Sequence, residues 1–122
     1  CEQHLSHARI GSHAHVLRGK LTDWQVLAGE IGVAAMKNPD EAGAASVDFL
    51  MYSGYVLVAW YWLRLVLTAE RKLAEGSDAD FCHGKFKAAD FYFARLLPRT
   101  LALAASIRAG GSSLMAVAEE EF

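Results

Sequence analysis

The sequence predicts an all-α protein, an up-down antiparallel bundle of three long helices plus a short C-terminal helix. Two observations carry this. Apolar residues recur at alternating steps of three and four through both outer segments, the repeat of one helix face. The middle segment is apolar on every side, and strand-like alternation appears nowhere along the chain.

Turn residues set the boundaries. Asn38-Pro39-Asp40 is a turn signal. Glu75-Gly76-Ser77-Asp78 is a second: Gly76 suits the left-handed position after a helix, and Ser77 with Asp80 resembles a capping box. Gly110-Gly111-Ser112-Ser113 is the third, with Ser112 or Ser113 as the next N-cap. The helices are expected at about 4–37, 42–74, 79–109 and 113–118.

In the first segment Ile10, Ala14, Leu17, Leu21, Trp24, Ala28, Ile31 and Ala35 hold the 3-4 spacing straight through Gly19. One helix is favoured over two, with fraying before residue 12, because glycine costs about 1 kcal/mol against alanine. In the second segment residues 49–63 carry no charge and include Phe49, Tyr52, Tyr55, Trp60, Tyr61 and Trp62. A membrane span needs about 20 apolar residues. The run is shorter than that and rich in aromatic rings, so a buried central helix is expected instead. Gly54 would let a neighbouring helix approach closely. Trp60, Tyr61 and Trp62 cannot all face one way, so at least one ring points toward another domain or subunit. In the third segment Phe86, Ala89, Phe93, Leu96, Thr100, Leu103 and Ile107 keep the period across Pro98. Proline removes a backbone donor and clashes one turn back, which predicts a kink near residues 94–98 within one helix.

The totals narrow the function. A chain of 122 residues fits one domain, and its 53% apolar content exceeds the usual 45–50%. That excess suggests apolar surface reserved for another domain or subunit. A net charge of −2 argues against nucleic acid or an anionic membrane as partner. Two cysteines, Cys1 and Cys82, make no disulfide framework and fit a reducing cytoplasm. The first residues carry neither a basic nor an apolar leader region, and the chain does not begin with Met. It reads as a piece of a longer polypeptide.

Candidate chemistry is thin. Cys82 and His83 are adjacent and so do not face each other on a helix; a small core residue is the better account of Cys82. His4, His7, His13 and His15 cluster near the start, but without an HExxH pattern or further ligands they read as solvated side chains. Glu-x-x-His pairs of the di-iron type are absent, as are the P-loop, G-x-S-x-G and G-x-G-x-x-G. No catalytic, cofactor-binding or metal-ligating residue is assigned. Arg95 and Arg99, at i and i+4, repel each other unless Asp48, Asp90 or a partner surface supplies negative charge. With Trp60, Trp62 and Pro98 they form the candidate interface or packing set.

The stretch from Phe86 to Thr100, with Phe91-Tyr92-Phe93-Ala94-Arg95-Leu96-Leu97-Pro98-Arg99 at its centre, resembles the C-terminal domain of a bacterial subgroup of acyl-CoA dehydrogenases. Val47 to Val56 and Ala59 to Arg64 look like that domain's central helix, and Gly110 to Phe122 looks like its natural end. The resemblance implies a parent flavoprotein that oxidises an acyl-CoA thioester to its 2-enoyl-CoA, with FAD and a glutamate base. The subgroup is similar to enzymes acting on methylthio-propionyl-CoA and on longer acyl-CoAs. The flavin pocket, acyl-CoA cleft and base of such proteins lie in preceding domains. None of those motifs matches a position here, so Glu30, Glu70 and Glu119 are not candidates for the base. The expected role is accessory: packing on the preceding catalytic domains and shaping a homo-oligomer, with no FAD in this piece. The alternative is an independent binding module that holds an anionic partner on its Arg95/Arg99 face.

Overall fold

The computed structural model describes residues 2–122, with side chains from Ala8 onward. The architecture is an all-α bundle. α1 runs Glu2–Lys37 without interruption at Gly19, α2 Asp40–Ala74, and α3 Ala79–Phe91. A π-helical turn, Tyr92–Leu96, leads into α4, Arg99–Arg108. α5 is the single turn Ser112–Met115, and a 3₁₀ turn covers Glu119–Glu121.

Short connections force the long helices to reverse at each turn. The Asn38 side-chain oxygen accepts the Asp40 N–H at 3.1 Å and folds the chain back into α2. At the other end of α2, Gly76 takes φ +81°; the N–H groups of Gly76 and Ser77 donate to the carbonyls of Leu73 and Lys72, both at 3.0 Å. That is a Schellman stop. The expected Ser77–Asp80 box does not form. Ser77 is spent on terminating α2, and Asp78, left-handed at φ 46°, begins α3 without a side-chain cap. Gly111, not Ser112 or Ser113, precedes α5, so that turn also lacks a hydroxyl cap.

The third segment is not one kinked helix over 79–109. Pro98 has no N–H, and its ring would strike the carbonyl of Ala94 in a regular α-helix. The chain answers with the wider π turn, in which Leu97 N–H donates to Tyr92 at 2.9 Å, and then restarts at Arg99. The extra residue places Tyr92 and Phe93 in the core together, with Leu97 beside them. The short final helix is also smaller than the expected 113–118.

Two buried clusters hold the bundle. Leu17, Leu27, Ala45, Tyr52, Val56, Ala59, Tyr92, Phe93, Leu97 and Ile107 form the larger. Val66, Ala69, Cys82, Phe86 and Ala89 form the smaller, and Trp62 packs against both. The inward stripe of α1 differs from the expected one. Leu21 and Ala28 are exposed, while His13 and Leu27 are buried, because a histidine that finds a partner counts as core here. α2 is not buried on all sides: only 22% of its most apolar 18-residue window is inside the protein. By length and composition that helix could cross a membrane, its mean hydropathy over the window being 1.3.

Candidate interface and the groups around it

The five residues singled out from the sequence do not converge. Trp60 is exposed on α2, edge-on to Tyr61 at 5.0 Å, and the Arg64 guanidinium lies over its ring at 4.9 Å. Trp62 is half-buried, 6.5 Å from the Tyr92 ring, and joins the two cores. Arg95, Pro98 and Arg99 are exposed around the π turn. Neither arginine forms an ion pair among the described residues. Asp90, the acid named beside them in the sequence, is committed elsewhere.

Asp90 accepts from Arg9 Nε at 3.0 Å and shares a hydrogen bond with His13 Nε2 at 2.9 Å. These bonds tie the start of α1 to the end of α3. The His13 ring is 8% exposed and stacks on Phe93, centroids 4.1 Å apart and planes 16° from parallel. Solvated histidines were expected here. His13 instead belongs to the core, and the only sequence signal for it was its place one turn before Leu17. His15 is exposed; His4 and His7 lie outside the residues whose side chains are described. No group of three or more His, Cys, Asp or Glu among the described residues is arranged to hold a metal ion.

At the opposite end, the Glu41 carboxylate accepts the Gly111 N–H through both oxygens, at 3.2 and 3.0 Å. Gly110 has φ +73°, and a Cβ there would sit 3.1 Å from Glu41 Oε2. Arg108 Nε donates to Glu30 at 3.0 Å, which raises the pKa of the guanidinium. In the middle, the Tyr92 hydroxyl donates to the Tyr55 carbonyl at 2.7 Å; burial, with the nearby Tyr55 adding to it, pushes this phenol up to about 12. Burial, followed by the charge of Asp23, also raises Tyr52. Cys82 is fully buried, its Sγ 3.9 Å from the Ser77 carbonyl, and acts as a small core residue.

Three surface hollows lie among the described residues. One of about 160 Å³ lies between Glu30, Ala34, Glu41 and Arg108; one of about 340 Å³ is lined by Pro39, Asp40, Gly43 and Met115. A third of about 350 Å³ lies between Lys20, Asp23, Tyr52 and Thr100. Charges of both signs line two of them: Glu30 and Glu41 with Arg108 at the first, and Asp23 with Lys20 and Arg108 at the third.

The family model described as acetyl-CoA dehydrogenase C-terminal like matches residues 1–118. The chain belongs to this family. A curated relative, the 3-methylmercaptopropionyl-CoA dehydrogenase of Ruegeria pomeroyi, is 36% identical over 81 residues. The aligned part is 66% of this chain and 14% of that enzyme. This acyl-CoA dehydrogenase C-terminal domain therefore corresponds to a small part of its relative's length, and the helical bundle described above is what the family's C-terminal unit looks like here.

Proposed function

We propose that this bundle is the accessory C-terminal domain of an FAD-dependent acyl-CoA dehydrogenase. Its parent oxidises an acyl-CoA thioester to the 2-enoyl-CoA, and the flavin, cleft and glutamate base are carried by residues outside this chain. The domain's task is mechanical: it packs against the preceding catalytic domains and shapes subunit assembly. The observation that supports this most directly is the family match over residues 1–118. The similarity to an enzyme named for 3-methylmercaptopropionyl-CoA supports a thioester substrate of that general class. Two cysteines, one of them a buried free thiol, fit a reducing cytoplasm. The inward face of α2 belongs to the core, which favours a protein-facing rather than a membrane-spanning role for that helix.

The test mixes the purified domain with FAD and an acyl-CoA and follows flavin retention and electron transfer to a dye. The expected result is neither retention nor turnover, whereas the parent polypeptide shows both and loses assembly when the domain is removed. A flavin-loaded, active domain would overturn the division of labour.

A second reading has Arg95 and Arg99 hold an anionic partner, favoured by their exposure without ion pairs. Binding of CoA or a nucleic acid that weakens with salt and with Arg99→Ala would support it; no binding at low salt would remove it.

A further inference from the structure

α2 carries two apolar stripes, and the bundle uses one of them. Its inner stripe, Ala45, Tyr52, Val56, Ala59, Val66 and Ala69, is buried. On the opposite side Val47, Leu50, Met51, Leu57, Val58, Tyr61 and Leu65 are 43–71% exposed. Through Gly43, Val47, Leu50, Gly54, Leu57 and Tyr61 this outer stripe steps 4, 3, 4, 3, 4, the spacing of a helix-pairing seam. Its own positions are all uncharged; Asp48, the one charged residue within that length, falls to the side of the stripe. Gly54 sits at its centre with nothing within 4 Å of where a Cβ would be, so close packing inside the domain does not explain this glycine. It leaves room on the outer face instead.

We propose that the outer face of α2 is a self-complementary seam that pairs with α2 of a second copy of this chain, antiparallel, about an axis near residues 55 and 56. Three arguments select this occupant. The first is register. Antiparallel pairing about that point sets Gly54 opposite Leu57 of the second copy and Leu50 opposite its Tyr61, small against large along the seam. The second is charge. The same register brings Asp40, exposed at the start of α2, to Arg71 and Lys72, exposed at its end, on both sides of the axis. Antiparallel pairing also opposes the two helix dipoles favourably. The third is area. The seven side chains present on the order of 700 Å² per copy, larger than the patch of a typical monomer and close to the ~800 Å² per partner of a standard interface. The seam belongs to this chain alone and does not depend on the parent's catalytic domains.

The test is the oligomeric state of this 122-residue chain by light scattering and sedimentation. The expected mass is twice 13.3 kDa, with Leu57→Asp shifting it to a monomer that keeps its helical circular dichroism. In a background with Cys1 and Cys82 changed to serine, Leu57→Cys is expected to form a cross-linked dimer under mild oxidation, and Asp80→Cys is not. Cross-linking is read even if Leu57→Asp fails to fold. A chain that stays monomeric at high micromolar concentration, a dimer indifferent to Leu57→Asp, failure of Leu57→Cys to cross-link, or vesicle binding through this face in place of dimerisation would each overturn the proposal. Failure of the division of labour proposed above would show instead as flavin turnover by the isolated domain.

Discussion

The imidazole of His13 lies flat on the ring of Phe93, 4.1 Å between centroids, while its Nε2 is 2.9 Å from Asp90 Oδ1. One side chain thus serves as core filler toward the π turn and as a polar tie toward α3. Removing Phe93 leaves a void under the imidazole. Phe93→Ala is expected to cost about 3 kcal/mol or more, in line with large-to-small core changes. Asp90→Ala, which strands His13 and frees Arg9, is expected to cost about 1–2 kcal/mol. Urea unfolding followed by circular dichroism checks both, and an Asp90→Ala variant as stable as the parent would show that the tie is incidental.

The Glu41 clamp on Gly111 predicts coupling between distant parts of the sequence. Glu41→Ala should cost about 1 kcal/mol through loss of the carboxylate–amide bond. Gly110→Ala should cost about 1 kcal/mol or more, since φ +73° disfavours a side chain. The two should not add. With Glu41 gone the new methyl no longer meets a carboxylate oxygen, so the double variant is expected to be more stable than the sum of the singles implies. Thermal melts of the four proteins decide this.

Alkaline stability should be set in part by Tyr92. Its folded pKa of about 12 lies above the ordinary value of 10.0. The unfolded chain therefore loses this proton first. The phenol's contribution is complete below pH 10 and declines as pH rises from there toward 12. Tyr92→Phe is expected to lower stability at neutral pH, by about 1 kcal/mol for the lost hydrogen bond to Tyr55, and to flatten the fall above pH 10. Denaturation midpoints across that range provide the check.

Cys82 should be silent to water-soluble thiol reagents in the native state. In a Cys1→Ser background, labelling is expected only at the rate at which the helices holding Val66, Ala69 and Phe86 around it come open. Rapid labelling without denaturant would mean that this smaller core opens far more readily than its packing implies.

The bundle class was legible because α3 and α4 keep their inward period through Phe86, Ala89, Phe93, Thr100 and Ile107, and all of these are buried. Pro98 marked the right place for a disturbance but not its form. A proline's missing donor can be absorbed by a bend, a break or a wider turn, and the choice depends on packing around Tyr92 and Phe93. α1 was harder. Its inward line passes through His13, a polar residue whose partner Asp90 lies far along the chain, so a purely apolar stripe drifted onto Leu21 and Ala28. α2 misled in the opposite sense: apolar on all sides was read as buried on all sides, whereas the same composition serves one inward and one outward face. Of the candidate interface set, Trp60, Arg95, Pro98 and Arg99 are at the surface and Trp62 joins the two cores. The Glu41–Gly111 clamp left no trace in local pattern at all.

The π turn at Tyr92–Leu96 has one more consequence. Each residue in a helix advances the next by about 100°. Deleting one residue there would remove the slack that admits Pro98, whose ring would then meet a carbonyl one turn back, and Thr100, Ile107 and Arg108 beyond it would have to shift. The turn works as a spacer between α3 and α4. Its length, more than any single contact beyond it, determines which side of α4 meets the rest of the protein.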